Sequence, residues 1–490
     1  MPTRVHVLTT TALCLASWSC TTSTTGGAEP SPTTGQDPTG APPVSTTENM
    51  VTGSATTATT GGAVDSTTSE EPGDTQPLFD VGGGQDLGSG CGGSGPPTNA
   101  TLTGTVWAPN GEIPVSGALV YTTSSLPTGI PDQVYCEECE ALTCDDLFTL
   151  SEADGSFALQ TIAADAQYLV VRKGQFMRVT QIDIAEGPAP LDASVTSLPS
   201  QRDPAAGEYI PNIAVGYGSF DRIEDTLGKF GLGTTAISNM QETLTPGTEP
   251  FDIWDNGGGN DGFTQQGTFA DLINDPVRMA DYHIIFVPCS SDTYLSALNM
   301  ATIANIRDWV AAGGRWYVAD WANEWMEQVF PDYQTLDGEP NNADGSVYDS
   351  DATVLDPGML AWLQALPPAL KDINPLNDES HPTLLDLPAF VTTVDNWSVV
   401  EQVHPILVDD GMGAMVDVGH TVWLEGAGGG FGVHPLTVTG QFGCGKIQFT
   451  SYHGAEFFDY VGLSPQELIL IYTILEIGVC QNNILPPPQG

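Results

Sequence analysis

Four stretches of this chain run into residues that can do chemistry. They are Gly216 and Gly218 with Asp221; Cys289 with Ser290 and Ser291; Asp320 with Trp321; and His453 with Glu456. A thiol, an imidazole and carboxylates are the parts of a nucleophilic site, in which a base within hydrogen-bond reach activates the sulfur and a third group orients the base. Cys289 or Asp320 with His453 and Glu456 would be the catalytic set. The same edge suits binding: Gly216, Gly218, Asp221 and Trp321 could line a polar ligand, and Trp254, Trp321 and Trp325 could stack on sugar rings. Other chemistries fail on spacing. The seven histidines include no His-Glu-x-x-His and no close pair, so no catalytic zinc is expected. No Gly-x-Ser-x-Gly turn occurs. Gly216-Tyr-Gly218 lacks the third glycine of a dinucleotide loop, and Asp221 in its place would repel pyrophosphate. No cofactor is expected beyond calcium, for which the acidic stretch Asn341 to Asp351 offers hard oxygen ligands around a turn glycine.

The elements that must hold these residues alternate. Ile213-Ala-Val-Gly-Tyr217 reads as a strand, and Asp221 to Phe230 as a helix with Ile223, Leu227 and Phe230 on one face. Tyr282 to Pro288 is a continuous apolar strand, the pattern of a parallel sheet covered on both faces. Met300 to Ala312 is a helix stopped by Gly313-Gly314, and Arg315 to Ala319 is the next strand. Ser464-Pro-Gln-Glu467 is a capping box with proline at the first helical position, opening a helix that is apolar all round and hence buried. Strand–helix alternation over 208–480 predicts an α/β domain with a mainly parallel sheet. In such sheets ligands bind at the carboxyl ends of the strands, where the four stretches fall.

Two segments resemble the class I glutamine amidotransferase-like superfold and its trehalose-utilisation-type relatives. One is Asp281-Tyr-His-Ile-Ile-Phe-Val-Pro-Cys289 with Ala311-Ala-Gly-Gly-Arg-Trp-Tyr-Val318. The other is Gly445-Lys-Ile-Gln-Phe-Thr-Ser-Tyr-His453-Gly-Ala-Glu456, which is similar to the strand ending in the family's catalytic His-x-Glu. The resemblance implies an amidotransferase-like fold, but the chain departs from the catalytic pattern. The place of the nucleophilic cysteine holds Asp320-Trp321, Cys289 sits one strand earlier in the position of the oxyanion loop, and His453 and Glu456 are three apart rather than two. Glutamine hydrolysis needs a thiolate beside its base and donors aimed at the oxyanion, so a working glutaminase is not expected.

Upstream, residues 99–200 alternate in short strands with turns at Pro109-Asn-Gly111 and Asp154-Gly155, the pattern of an all-β sandwich. Gly104, Pro114, Val115, Gly117, Ala118, Val120, Asp154, Gly155, Phe157 and Leu159 resemble the carboxypeptidase regulatory-like domain, a transthyretin-type β-sandwich. The resemblance implies a non-catalytic support or adhesive module. Cys136, Cys139 and Cys144 lie close together with Cys91 upstream, and two disulfides among these four are expected, with three pairings open. Cys444 and Cys480 are expected to pair. A seven-residue strand and a fifteen-residue helix both span about 22–23 Å, so the end of the last helix returns to the start of the last strand. Cys289, at the opposite strand end, is left as a free thiol.

The N-terminus has Arg4, an apolar run from Val5 to Trp18 and then Cys20, a secretory signal in outline over 1–20. Cys20 before a Thr/Ser/Gly run resembles the lipidation site of a bacterial lipoprotein. Residues 21–98 are Thr, Gly, Ser, Pro and acid, too poor in apolar surface to fold, and read as a disordered stalk. Residues 481–490 form a Pro-rich tail. No lysine or arginine occurs between Arg4 and Arg172, and 61 acidic against 12 basic side chains give a net charge of −49. So negative a surface repels nucleic acid and anionic lipid. The expectation is an exported protein, held at the outer membrane or cell surface by its lipid or otherwise secreted. It touches membrane only through that anchor, and is a non-catalytic binder of a polysaccharide or small polar ligand; a hydrolase is the alternative.

Overall fold

In the computed structural model, Ile213–Tyr217 (β1), Ile284–Val287 (β4) and Arg315–Ala319 (β5) are buried along their whole length, as expected of strands covered on both faces. With Asp252–Asp255 (β2), Gln265–Thr268 (β3), Tyr348–Val354 (β6), Val391–Asn396 (β7), Thr421–Ala427 (β8), Val433–Phe442 (β9) and Gly445–Thr450 (β10) they form a ten-stranded sheet in the order β3-β2-β1-β4-β5-β10-β9-β8-β6-β7. The first six are parallel, and the last four run antiparallel to their neighbours. The fold is therefore a mixture of α/β and β: the half carrying the chemistry is parallel as the alternation requires, and the far half is a meander that alternation does not reveal. The described residues are 97–137, 139, 147–291, 293–336, 347–372, 382–428, 432–454, 460–478 and 485–488. The expectations for the signal, Cys20, the stalk, Cys91, Cys144, Glu456, Cys480 and most of the acidic loop and tail fall outside them. Among the described residues no helix is long and apolar enough to cross a membrane.

Helix α1 (Ile223–Phe230) is buried on every residue and ends at Gly231, whose φ of +108° closes the C-cap. Helix α2 (Met300–Ala311) is capped by Asn299, with Ile306 and Val310 buried and Ile303 half-buried. Helix α3 (Pro465–Ile477) begins with the capping box of Ser464 and Glu467, and its Leu468 to Tyr472 are all buried. The helices and sheet faces pack around Leu227, Phe286, Ile471 and Leu475 on one side and Ile285, Val310, Trp316 and Phe449 on the other. In the tail, Leu485 is buried against Val408 and Val418.

The preceding β region has a three-stranded sheet (Ser156–Thr161, Ala100–Thr105, Gly187–Pro190) and a five-stranded one (Phe148–Leu150, Leu119–Thr123, Ala164–Lys173, Phe176–Ile184, Glu208–Tyr209). Leu102 and Leu159 of the first share one core with Val120, Leu169 and Val171 of the second. That core runs on into Ile213 and Phe230 of the α/β region. The β region docks at the amino-terminal end of the parallel sheet. Lys173 Nζ meets Glu476 Oε1 at 2.6 Å with both side chains buried; Arg172 and Arg315 both meet Glu137, the latter at 3.4 Å; Arg315 also donates to the Gly478 carbonyl at 3.2 Å.

A disulfide joins Cys136 to Cys444 across this junction, 308 residues apart with a Cα–Cα distance of 5.2 Å. It corrects two expectations. Cys444 does not pair with Cys480, and Cys136 does not pair within the set Cys91, Cys139 and Cys144. Gly478 at the end of α3 does return to Arg315 at the start of β5, as the matched element lengths require. The segment at Tyr135–Cys136 fills the space beside Cys444, however. Gly313, at φ +121°, has no Cβ where the Tyr135 carbonyl sits. Cys139 is also disulfide-bonded.

Candidate functional site

The carboxyl ends of adjacent strands β4, β5 and β10 deliver Cys289, Asp320 and His453 to one point. The sulfur, one carboxylate oxygen and one imidazole nitrogen lie within 4.8 Å of one another, with exposures of 1%, 0% and 5%. His453 Nε2 and Asp320 Oδ2 are 3.0 Å apart, and the other Asp320 oxygen accepts the Trp397 N–H at 2.9 Å. Asp320 has φ +50°, a left-handed backbone that costs a non-glycine residue about 1–3 kcal/mol. The position that the resemblance assigns to the nucleophile thus carries a carboxylate, and the thiol stands beside it on the neighbouring strand.

Burial decides the protonation. It pushes the Cys289 thiol up to about 11 despite the neighbouring His453. Burial raises Asp320 to about 6, against the pull of its His453 contact. Burial also opposes charge on His453, but Cys289 and Asp320 outweigh it and hold the imidazole well above its ordinary range. Burial thus favours the neutral thiol, while its two neighbours favour the charged imidazole. With its Nε2 3.0 Å from Asp320 Oδ2, the imidazole is engaged with that carboxylate as well as with Cys289. The N–H groups of Phe220 and Asp221 both donate to the Cys289 carbonyl at 3.3 Å, tying the loop after β1 to the end of β4.

The other expected residues separate into edge and core. Gly218 lies where a Cβ would press on the Cys289 carbonyl, so the β1 loop closes on the backbone at the end of β4. Asp221 is buried and accepts the Gly454 N–H at 3.2 Å, tying that loop to the residue after His453. Trp321 stacks on Trp397 with ring centroids 5.7 Å apart and lies against Phe220 at 6.0 Å. Gly216 is inside the sheet against the Phe269 ring and the Phe286 carbonyl, so it supports β1 rather than lining the edge. Trp254 and Trp325 are core residues; Trp254 donates to Tyr282 Oη at 3.3 Å, and Trp325 packs edge-on against Phe269. Of the acidic stretch, Asp349 and Asp351 lie on β6 and accept from Asp395 N and Thr392 Oγ1.

Sequence reasoning missed the rest of the edge. Trp397, 77 residues from Asp320, carries no local signal. Beyond the ends of β2 and β4 lie Asn256, whose carbonyl accepts from Ser290 Oγ at 2.5 Å, the Ser291–Thr293 hydroxyl pair at 2.8 Å and the Tyr294–Asp255 bond at 2.6 Å. Phe220 is 38% exposed. The run Asp255-Asn-Gly-Gly-Gly-Asn260 following β2 was the signal that could have found this shelf, since strand ends followed by glycines mark close backbone approach.

No family model matches this chain, and no curated protein does. Among solved structures it is similar to a cytoplasmic protein of Salmonella typhimurium, at 11% identity over 56% of this chain and 100% of that one, with a TM-score of 0.26. It is also similar to a ThuA-like protein of Bacteroides uniformis, at 12% identity over 46% and 81%, with a TM-score of 0.25. At these scores the likeness carries no argument about activity.

Proposed function

We propose that this chain is an exported protein, tethered to the cell envelope through Cys20, whose α/β domain binds a polar small ligand of the sugar class without converting it. The state of Cys289 carries this reading: a sealed thiol pushed up to about 11, beside an imidazole already engaged with Asp320, is not poised to attack. The edge around it pairs hydroxyl and carboxylate groups (Ser219, Asp255, Ser291, Thr293) with the exposed ring of Phe220, the combination that suits sugar hydroxyls and a sugar's apolar face. Disulfides at Cys136–Cys444 and Cys139 favour an oxidising compartment. Calorimetry of the full chain against neutral mono- and disaccharides should give saturable binding of at least one, weakened about 2- to 10-fold by Phe220→Ala, the range of one aromatic contact. No binding across the panel would sink the reading.

A second reading, an exported hydrolase using Cys289 or Asp320 with His453, is favoured by the contact of those three side chains at the strand ends. Its Cys289 route requires that thiol to react with iodoacetamide at neutral pH in the folded chain and ester or amide turnover to vanish in Cys289→Ala; its Asp320 route requires turnover to vanish in Asp320→Asn. A thiol that stays unlabelled until the chain unfolds eliminates the first, and turnover unchanged in Asp320→Asn eliminates the second.

A further inference from the structure

We infer that Cys289, Asp320 and His453 form a buried site for one divalent cation of the zinc class. Sulfur, oxygen and nitrogen donors converging from three adjacent strands are the ligand types zinc takes, at about 2.3 Å for sulfur and 2.0–2.2 Å for nitrogen and oxygen. Those bond lengths place tetrahedral ligands roughly 3.3–3.8 Å apart. The three donor atoms here lie within 4.8 Å of one another, with oxygen and nitrogen at 3.0 Å, so shifts of a fraction of an ångström to about one would enclose an ion. The three bases are neighbours in a parallel sheet, which makes the frame rigid.

Two further observations point the same way. The first is charge. A thiolate, a carboxylate and a neutral imidazole around a divalent ion sum to zero, the one total that a site this buried tolerates cheaply. The second is orientation. The Trp397 N–H holds one Asp320 oxygen and leaves the other facing His453, the outer-shell arrangement that aims a ligating carboxylate. The strained backbone of Asp320 is what turns its side chain to that point. Three protein ligands leave a fourth tetrahedral position. The rings of Phe220, Trp321 and Trp397 lie on residues bonded or adjacent to the site and would screen that position from bulk water. On binding, Cys289 gives up its thiol proton and His453 the proton on Nε2, both to solvent, as the sulfur–metal and nitrogen–metal bonds form.

The test uses the full chain with its disulfides intact, freed of metal by a chelator and titrated with Co2+ alone. A thiolate-to-cobalt charge-transfer band saturating at one equivalent, lost in Cys289→Ser and displaced by Zn2+, is the expected result. No such band, or a band that survives Cys289→Ser, overturns the proposal. If Cys289→Ser does not fold, X-ray absorption of the zinc-loaded wild type decides: one sulfur scatterer with nitrogen and oxygen supports the site, and a shell without sulfur overturns it. Sugar binding is measured on the metal-free chain, so its failure and the failure of the metal site are separate outcomes.

Discussion

The two ends of the parallel sheet bury charge in opposite ways. At the amino end, Arg172, Lys173 and Arg315 face Glu137 and Glu476, and a disulfide locks the junction. At the carboxyl end, Cys289, Asp320, Asp221 and His453 gather with one imidazole as the basic group among them. The first cluster sets three cations against two carboxylates and is sealed against the β region. The second is weighted toward acid and held by a strained backbone at Asp320. Opposite charges paired at the amino end join the two regions, whereas the carboxyl end gathers acids around one imidazole.

The sharpest way to break this contrast is to unbalance the amino end. Lys173→Met leaves Glu476 without its buried cation and should cost about 3–5 kcal/mol by denaturant unfolding. Lys173→Met with Glu476→Leu should recover most of that; if the double variant is no better than the single, the pair does not act as a unit. Removing the cross-link with Cys136→Ala and Cys444→Ala should cost about 2–5 kcal/mol. An unchanged midpoint would mean that non-covalent docking alone holds the regions together.

A titration separates the ends next. Burial, with the charges of Arg315 and Arg202, lowers His283 at the amino end to about 3, although Asp132 opposes this. Its folded value lies below the ordinary 6.5, so the unfolded chain takes up the proton first. The stabilising share is complete above about pH 6.5 and is lost as pH falls toward 3, at about 1.4 kcal/mol per pH unit. His283→Gln should flatten the pH slope of stability in that window by up to one proton; an unaltered slope would show that His283 is not buried neutral. The smallest effect belongs to the carboxyl edge. Phe220→Ala removes an exposed ring and should move stability by no more than about 0.5 kcal/mol while weakening sugar binding. A large loss of stability instead would make that ring part of the core.

Much of the frame is legible in the amino-acid sequence. The apolar runs at Ile213, Ile284 and Arg315, the amphipathic α1, and the capping box at Ser464 are local patterns, and they form where periodicity and caps put them. Cys289, Asp320 and His453 are legible as a set because strand ends of an α/β sheet share one edge. Trp397 is not, since its link to Asp320 depends on the antiparallel half of the sheet folding back over the edge. The partner of Cys444 is not either, because helix and strand lengths locate a chain end but not what docks beside it.

The sequence by itself therefore determined the elements, the burial of the parallel strands and the residue types at their ends, all consequences of short-range pattern. Only the tertiary structure decided that Cys136 reaches Cys444, that Asp320 turns into a left-handed backbone, and that thiol, imidazole and carboxylate meet within 4.8 Å. Those outcomes depend on which strands become neighbours and on how two regions dock. They are set by packing between segments hundreds of residues apart, which no local window contains.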